Sequence, residues 1–178
     1  MRWIASAVAL VVVAFGVMLA VQHRNEPSVP RIVQQHRVVP AFVVDNAAGG
    51  QIDSSTLARK TYVVNFFNSW CIPCQQEAPA LKAFYAEHRN DPDFAMIGVV
   101  RDDDDHAAVR SYVRREGITW PVAFDPTGSA RLGFGTTGQP ETYFVNSSGV
   151  AACGTLGAST LADLESMLQA VRSGALCS

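Results

Sequence analysis

The chain has 178 residues, 48% of them hydrophobic, with 14 Lys and Arg against 16 Asp and Glu and a formal net charge of −2. That near-neutral balance, without a basic cluster, argues against nucleic acid as a partner, and the apolar fraction excludes a disordered chain. Four Cys are too few for a disulfide-dense miniprotein, one apolar block too few for a polytopic membrane protein, and the length too short for two sizeable domains.

The apolar block, Ile4–Val21, runs for 18 residues interrupted only by Ser6 and Gly16. As a helix it would be ~27 Å long, close to the hydrocarbon thickness of a bilayer. A cleavable signal peptide has an apolar run of about 7–15 residues and a small-x-small exit, whereas the exit here, Met18-Leu-Ala-Val-Gln22, has no clean Ala-x-Ala. Residues 1–21 are therefore predicted to be an N-terminal membrane anchor, with a removed signal peptide as the alternative. Both send the remainder out of the cytoplasm. No Cys follows the segment, so a lipid-anchored start is unsupported. Arg2 and the amino terminus on one side, with His23 and Arg24 on the other, leave orientation open. Residues 22–38, with Pro27, Pro30 and five scattered basic residues or His, read as a linker. The folded domain is expected over residues 39–178.

Phe42–Val44 and Gln51–Ile52 flank Asn46-Ala-Ala-Gly-Gly50, the pattern of a hairpin with a Gly-rich turn. Tyr62–Phe67 is β-branched and aromatic throughout, which predicts a buried central strand. Ser69-Trp-Cys-Ile-Pro-Cys74 follows at once, then an amphipathic helix with Ala78, Leu81, Tyr85 and His88 on one face. Phe94–Val100 is a second apolar run, so the crossover implies a parallel βαβ unit. Asp105–Glu116 has Val109, Tyr112 and Val113 at helical spacing and Gly117 as its stop. Pro121–Phe124 reads as a strand and Asp125–Gly128 as a turn. Thr142–Val145 and Val150–Cys153, separated by Asn146-Ser-Ser-Gly149, predict an antiparallel hairpin. Ser159 or Thr160 then caps a last helix with Leu161, Leu164, Leu168 and Val171 in register. The fold class is α/β, a mixed central sheet flanked by helices in one domain.

Chemistry concentrates on Cys71 and Cys74. Two thiols at i and i+3 across a helix start can close a small disulfide. The unpaired N–H groups and the positive end of the helix dipole favour a thiolate at Cys71, making it the exposed nucleophile. Cys74, one turn in and more buried, then resolves the mixed disulfide. Pro73 fits the first turn, where its missing N–H costs nothing, and Trp70 shields one side. Two other readings stand beside this one. A zinc site needs four ligands and this pair supplies two, since Cys153 and Cys177 lack finger spacing and no His is near. A purely structural bridge over so short a loop adds little.

The run Tyr62-Val-Val-Asn-Phe-Phe-Asn-Ser-Trp-Cys-Ile-Pro-Cys-Gln-Gln-Glu-Ala-Pro79 resembles the active-site segment of the thioredoxin superfamily. More narrowly it resembles the membrane-anchored TlpA/ResA/DsbE (CcmG) group of extracytoplasmic thiol–disulfide oxidoreductases. Gly138-Gln-Pro-Glu-Thr-Tyr-Phe144 is similar to the segment carrying that family's cis-proline, and the likeness extends from about Val39 to Val171. The resemblance implies a thioredoxin-like fold with an N-terminal hairpin and a central insertion, an anchor with its N-terminus inside, and the domain outside. It implies that Pro140 is cis and lies against Cys71, leaving the backbone of Gln139 to pair with an extended substrate strand. An ordinary turn proline is the alternative. Glu77 matches the group's acidic residue three positions after the second Cys, where a partly buried carboxyl would titrate high and exchange protons with Cys74. A solvated helix-face Glu is the duller reading. Glu141 matches the CcmG-like branch, as a residue that orients substrate or tunes Cys71, or as a solvated Glu. Asn65 stands where thioredoxin itself has a buried acid, which points to the subgroup; Asn68, where a small residue is usual, has no account. Pro79 is expected to kink the helix.

Several residues have duller expectations. Asp102–Asp105 lack the alternating spacing of a calcium loop and read as a strand-end loop capping the next helix. His88 and His106 read as surface or helix-end residues, and Trp120-Pro121 as packing beside the site. An even Cys count in an oxidising compartment suggests a structural Cys153–Cys177 bridge, with two independent thiols as the alternative.

The sequence thus predicts an anchored extracytoplasmic disulfide oxidoreductase with catalytic Cys71, Cys74 and Glu77 and a substrate surface of Trp70, Gln139, Pro140 and Glu141. No metal or organic cofactor is expected. The resemblance implies protein thiol or disulfide partners, among them apocytochrome c, and a membrane dithiol electron donor. Oxidation or isomerisation of secreted proteins is the alternative within the family. A copper chaperone of the same fold resembles a Cys-x-x-x-Cys pair with a downstream His, which this chain lacks, and the Trp-Cys-x-x-Cys context argues against a peroxidase.

Overall fold

The computed structural model describes residues 11–18, 30–101 and 104–177. Residues 11–18 are helical (α1). The domain then runs β1 (Arg31–Val38), β2 (Val43–Asn46), β3 (Gln51–Asp53), a 3₁₀ turn (Ser54–Leu57), β4 (Thr61–Phe67), α2 (Ile72–His88) and β5 (Phe94–Val100). It continues through α3 (His106–Glu116), β6 (Val122–Phe124), α4 (Ser129–Phe134), β7 (Glu141–Val145), β8 (Val150–Leu156) and α5 (Leu161–Ser173). Most of the expected anchor, and residues 22–29 of the expected linker, lie outside the described residues. Among the described residues no helix is long and apolar enough to cross a membrane.

All seven residues of β4 are buried, as a β-branched and aromatic run covered on both faces requires. The strand lies inside an eight-stranded sheet of order β1-β8-β7-β4-β5-β6-β2-β3. The β4–β5 and β5–β6 pairs are parallel and the remaining pairs antiparallel. Alternation along β4 splits the core. Val63 and Phe67 pack with α2, α3 and α5, whereas Tyr62, Val64 and Phe66 pack with Phe42, Ala130 and Phe134.

Helix ends follow their local chemistry. Asp105 Oδ1 accepts the Ala108 N–H at 2.7 Å to start α3, and Gly117, at φ 67°, closes it. Thr160 and Asp163 form a reciprocal capping box at the start of α5.

Two expectations need correction, and one element was not anticipated. Residues 31–38, assigned to the linker, form β1 and pair antiparallel with β8 from Arg31↔Leu156 to Val38↔Val150. An edge strand is held by backbone pairing and needs little apolar patterning, so composition reads it as a tether. α4 follows the expected Asp125–Gly128 turn and had no sequence signal; six residues between Gly128 and Gly135, both left-handed, show no periodicity. The buried face of α2 is Cys74, Glu77, Ala78, Leu81 and Phe84, with Tyr85 and His88 only half-buried. Pro79 lies within the unbroken helix.

Phe84 is fully buried, with its ring 5.7 Å from Phe94 and 5.9 Å from Phe144, so it joins α2 to two strands. Phe84→Ala is expected to cost about 3–5 kcal/mol, read as a lower urea midpoint. A cost below about 1 kcal/mol would contradict this packing.

Candidate active site

Where β4 ends, the Asn68 carbonyl accepts the Cys71 N–H at 3.2 Å and turns the chain into α2. Cys71 is the N-cap, in extended conformation, and its Sγ accepts the Cys74 N–H at 3.2 Å. This is the helix-end position that stabilises negative charge on sulfur. The two cysteines are disulfide-bonded, with Cα atoms 5.2 Å apart. Cys71 is 4% exposed and Cys74 2%, so the expected exposed nucleophile is nearly as covered as its partner. The exposed side chains are its neighbours, Trp70 at 58% and Ile72 at 67%. The Trp70 side chain is therefore largely open to solvent at the Cys71 turn.

The Gln139–Pro140 peptide is cis. Because Phe66 pairs with Glu141, the residues before β7 run alongside those after β4, bringing the Pro140 loop next to the Asn68–Cys71 turn. Pro140 is buried, and its carbonyl accepts the Gly157 N–H at 2.9 Å. Gln139 is half-buried, its Oε1 accepting Arg101 Nη1 at 3.0 Å.

Glu77 is 1% exposed, one turn beyond Cys74 on the same helix face. Its Oε1 accepts the Ser159 N–H at 2.9 Å, and its Oε2 accepts Asn65 Nδ2 at 3.0 Å. Asn65 Nδ2 also reaches Thr142 Oγ1 at 2.9 Å. Burial pushes the Glu77 carboxyl up to about 7, with the Ser159, Asn65 and Thr142 hydrogen bonds pulling the other way. The solvated alternative for Glu77 is thereby excluded. Asn65, Cys74, Phe67 and Trp120 are among the residues lining a small cavity beside this network.

Glu141 is also buried, but on the other face of the sheet with Tyr143. Its carboxylate accepts the Gly138 N–H at 2.7 Å, the Thr137 hydroxyl at 2.9 Å and the Tyr143 hydroxyl at 2.7 Å. The solvated alternative for Glu141 is thereby excluded: strand alternation puts it on the Tyr143 face, and its carboxylate holds the loop that presents Pro140.

Among the remaining candidates, His106 stacks on Phe124 at 3.6 Å, and His88 lies between Asp91 at 3.2 Å and Glu165 at 3.0 Å, linking α2 to α5. Glu87, His88 and Glu165 have metal-ligand types within 4.8 Å of one another, at the opposite end of α2 from the cysteines. Trp120 is buried in the core and packs on Tyr85. Cys153 and Cys177 are disulfide-bonded, with Cα atoms 6.0 Å apart. The fully buried Asn68 amide has no hydrogen-bond partner among the described residues, and nothing in the structure explains it.

Sequence reasoning missed Thr142, Ser159, Arg101 and Asp104. Thr142 carried a usable signal, since period-2 alternation from Phe144 places it on the Asn65 face. Ser159 acts through its backbone, which no residue type announces.

A parallel strand leading into a Cys-x-x-Cys helix start, with a cis-proline beside it across the sheet, defines a thioredoxin-fold thiol–disulfide oxidoreductase. The chain belongs to the AhpC/TSA family, which its residues 36–152 match. It is 28% identical over 140 residues to the thiol-disulfide oxidoreductase ResA of Bacillus thuringiensis (strain Al Hakam), covering 78% of this chain and 79% of that one. It is 24% identical over 125 residues to the sporulation thiol-disulfide oxidoreductase A of Bacillus subtilis (strain 168), covering 69% and 75%. A thiol:disulfide interchange protein of the thioredoxin family from Chlorobium tepidum TLS has the same fold, with a TM-score of 0.68 at 24% identity over 78% of this chain and 98% of that one.

The Glu77 environment has a stability signature. Its folded-state value lies above its ordinary 4.5, so the folded chain binds this proton more tightly than the unfolded chain. That contribution is complete below pH 4.5 and is lost as pH rises through 7, about 3 kcal/mol in all. Urea unfolding at pH 5 and pH 8 should show this loss in the native chain and not in Glu77→Gln. An equal loss in both would assign the titration to another group.

Proposed function

We propose that this oxidoreductase works as a reductant on the outer side of a membrane, held there by residues 1–21. Its substrates would be disulfides of secreted polypeptides, with the cysteine pair of apocytochrome c before haem attachment as the principal one. The observation that carries the reading is the acid beside the resolving cysteine. In the reducing direction the Cys71 thiolate attacks a substrate disulfide, forming a mixed disulfide and releasing one substrate thiolate. Cys74 must then lose its proton to attack Cys71 Sγ, releasing the second thiolate and leaving Cys71–Cys74 oxidised. A carboxylate that titrates near 7 accepts that proton at neutral pH. Two electrons pass to the substrate, and a dithiol donor in the membrane returns the centre to its reduced form.

Trp70 and Ile72 supply an apolar surface for the polypeptide around the target disulfide, and the backbone at Gln139 supplies strand pairing. The location is supported by the 18-residue apolar block and by the Cys153–Cys177 bridge, which belongs to oxidising compartments. Likeness of the active-site segment to the TlpA/ResA/DsbE group supports the cytochrome c substrate.

Cys71→Ser should abolish insulin reduction by the full chain, and Cys74→Ala should accumulate mixed disulfides from which the substrates can be identified. A Cys71/Cys74 midpoint potential near thioredoxin's ~−270 mV supports the reductant, whereas one near DsbA's ~−120 mV overturns it. Membrane fractionation with mass spectrometry of the N-terminus should find residues 1–21 intact in the membrane pellet. A soluble, trimmed chain would contradict the anchor.

A further inference from the structure

The β5–α3 connection touches both halves of the active site. From one side, Asp104 Oδ2 accepts the Ser69 N–H at 2.6 Å and Asp104 Oδ1 accepts the Ser69 hydroxyl at 3.0 Å. Ser69 lies two residues before Cys71, and its carbonyl accepts Gln75 Nε2 at 2.9 Å. The turn carrying Cys71 is thus held by α2 from within and by Asp104 from outside. Three residues upstream, the Arg101 N–H donates to the Phe67 carbonyl at 3.0 Å, continuing the β4–β5 ladder by one step. Its guanidinium donates to Gln139 Oε1 at 3.0 Å and to the Thr137 carbonyl at 3.2 Å, both in the loop of cis-Pro140.

We propose that Arg101 and Asp104 are a brace that fixes the width and register of the groove between the Cys71 turn and the cis-Pro140 loop. They are positioning residues for polypeptide disulfides. A polypeptide substrate has to satisfy two constraints at once: its sulfur in line with Cys71 Sγ, and its flanking backbone paired beside Gln139. The two constraints are compatible only at one separation of the loops, and misplacement by about 1 Å costs up to about 10²-fold in rate. A small disulfide meets only the first constraint. The chemistry of the brace suits a spacer. The planar guanidinium serves two acceptors in one fixed fork, which an ammonium on a flexible stem does not, and the carboxylate takes both donors of a single serine. Arg101 and Asp104 are half-buried and line an open cleft of about 610 Å³ with Phe124 and Arg131, so the brace is reached from the surface.

The test compares two substrates of the full chain, insulin and hydroxyethyl disulfide, for Arg101→Gln, Asp104→Asn and the double variant. The expected result is a fall of about tenfold in kcat/KM for insulin, chiefly through kcat, against a fall of about threefold or less for hydroxyethyl disulfide. The double variant should be no worse than the worse single one, because either break releases the same separation. Equal falls on both substrates would overturn the proposal, because they indicate general damage to the dithiol. An unchanged insulin rate would also overturn it, leaving both contacts as bystanders. Should Arg101→Gln not fold, Arg101→Lys carries the same comparison, since it keeps charge and bulk but loses the double acceptor fork.

Discussion

The structure turns on one buried carboxyl. Glu77 is almost fully removed from water, and an unsupported carboxylate there would cost several kcal/mol. Its donors come from separate elements: Asn65 from β4 and the Ser159 N–H from the residue before the α5 cap, with Thr142 of β7 bonded to the same Asn65 amide. The helix that carries Cys74 is thereby tied at one point to the two strands beneath it and to the last helix. Desolvation raises the carboxyl and these hydrogen bonds lower it, and the balance falls at about 7. Asn65 is important because it donates. An acid in its place would set two carboxyls against each other and push one of them higher still.

A second buried glutamate, Glu141, shows how one residue of strand register separates two roles. It is adjacent in sequence to Thr142, but alternation along β7 turns it to the face of Tyr143 and Phe134. There it collects donors from Thr137, Gly138 and Tyr143, all within its own segment. Desolvation first, and then the Glu141 contact, push the Tyr143 phenol well above its ordinary range, which favours the hydroxyl as donor to Glu141. The carboxylate therefore acts on loop shape. One buried acid lies a turn beyond Cys74 on α2, and the other holds the backbone before Pro140.

What could be read from the residues follows from how each element is held. β4, β5, the Cys71 helix start, the Asp105 cap and the β7–β8 hairpin were legible because side chains and local backbone chemistry specify them. β1 was not, since an edge strand is specified by β8 and its own half-exposed residues carry little pattern. The buried face of α2 was read only in part: Phe84, one turn before His88 and 4.9 Å from its ring, is its most buried aromatic and was left off. In the site, the cysteines, Pro140 and Glu77 stood out by residue type and by resemblance. Ser159 and Asp104 did not, because one contributes only a backbone N–H and the other gains meaning from a serine 35 residues away.

The floor of the site depends in turn on β8. Its neighbour β7 carries Pro140 into the sheet, and the Gly157 N–H just beyond β8 holds the Pro140 carbonyl. Left as an edge, β8 would expose a ladder of unpaired groups beside the active site, and β1 covers it. The chain's other end closes on the same strand, through Cys153–Cys177, with Gln34 of β1 donating to the Cys177 carbonyl at 3.2 Å. That bridge spans 24 positions and encloses all of α5. On the chain-entropy account it stabilises by about 3–4 kcal/mol through the unfolded state. In the folded state it fixes the far end of the helix whose near end begins beside Ser159. Two features remote from the cysteines in sequence, an unpatterned strand and a C-terminal staple, therefore converge on keeping one N–H in place against Glu77.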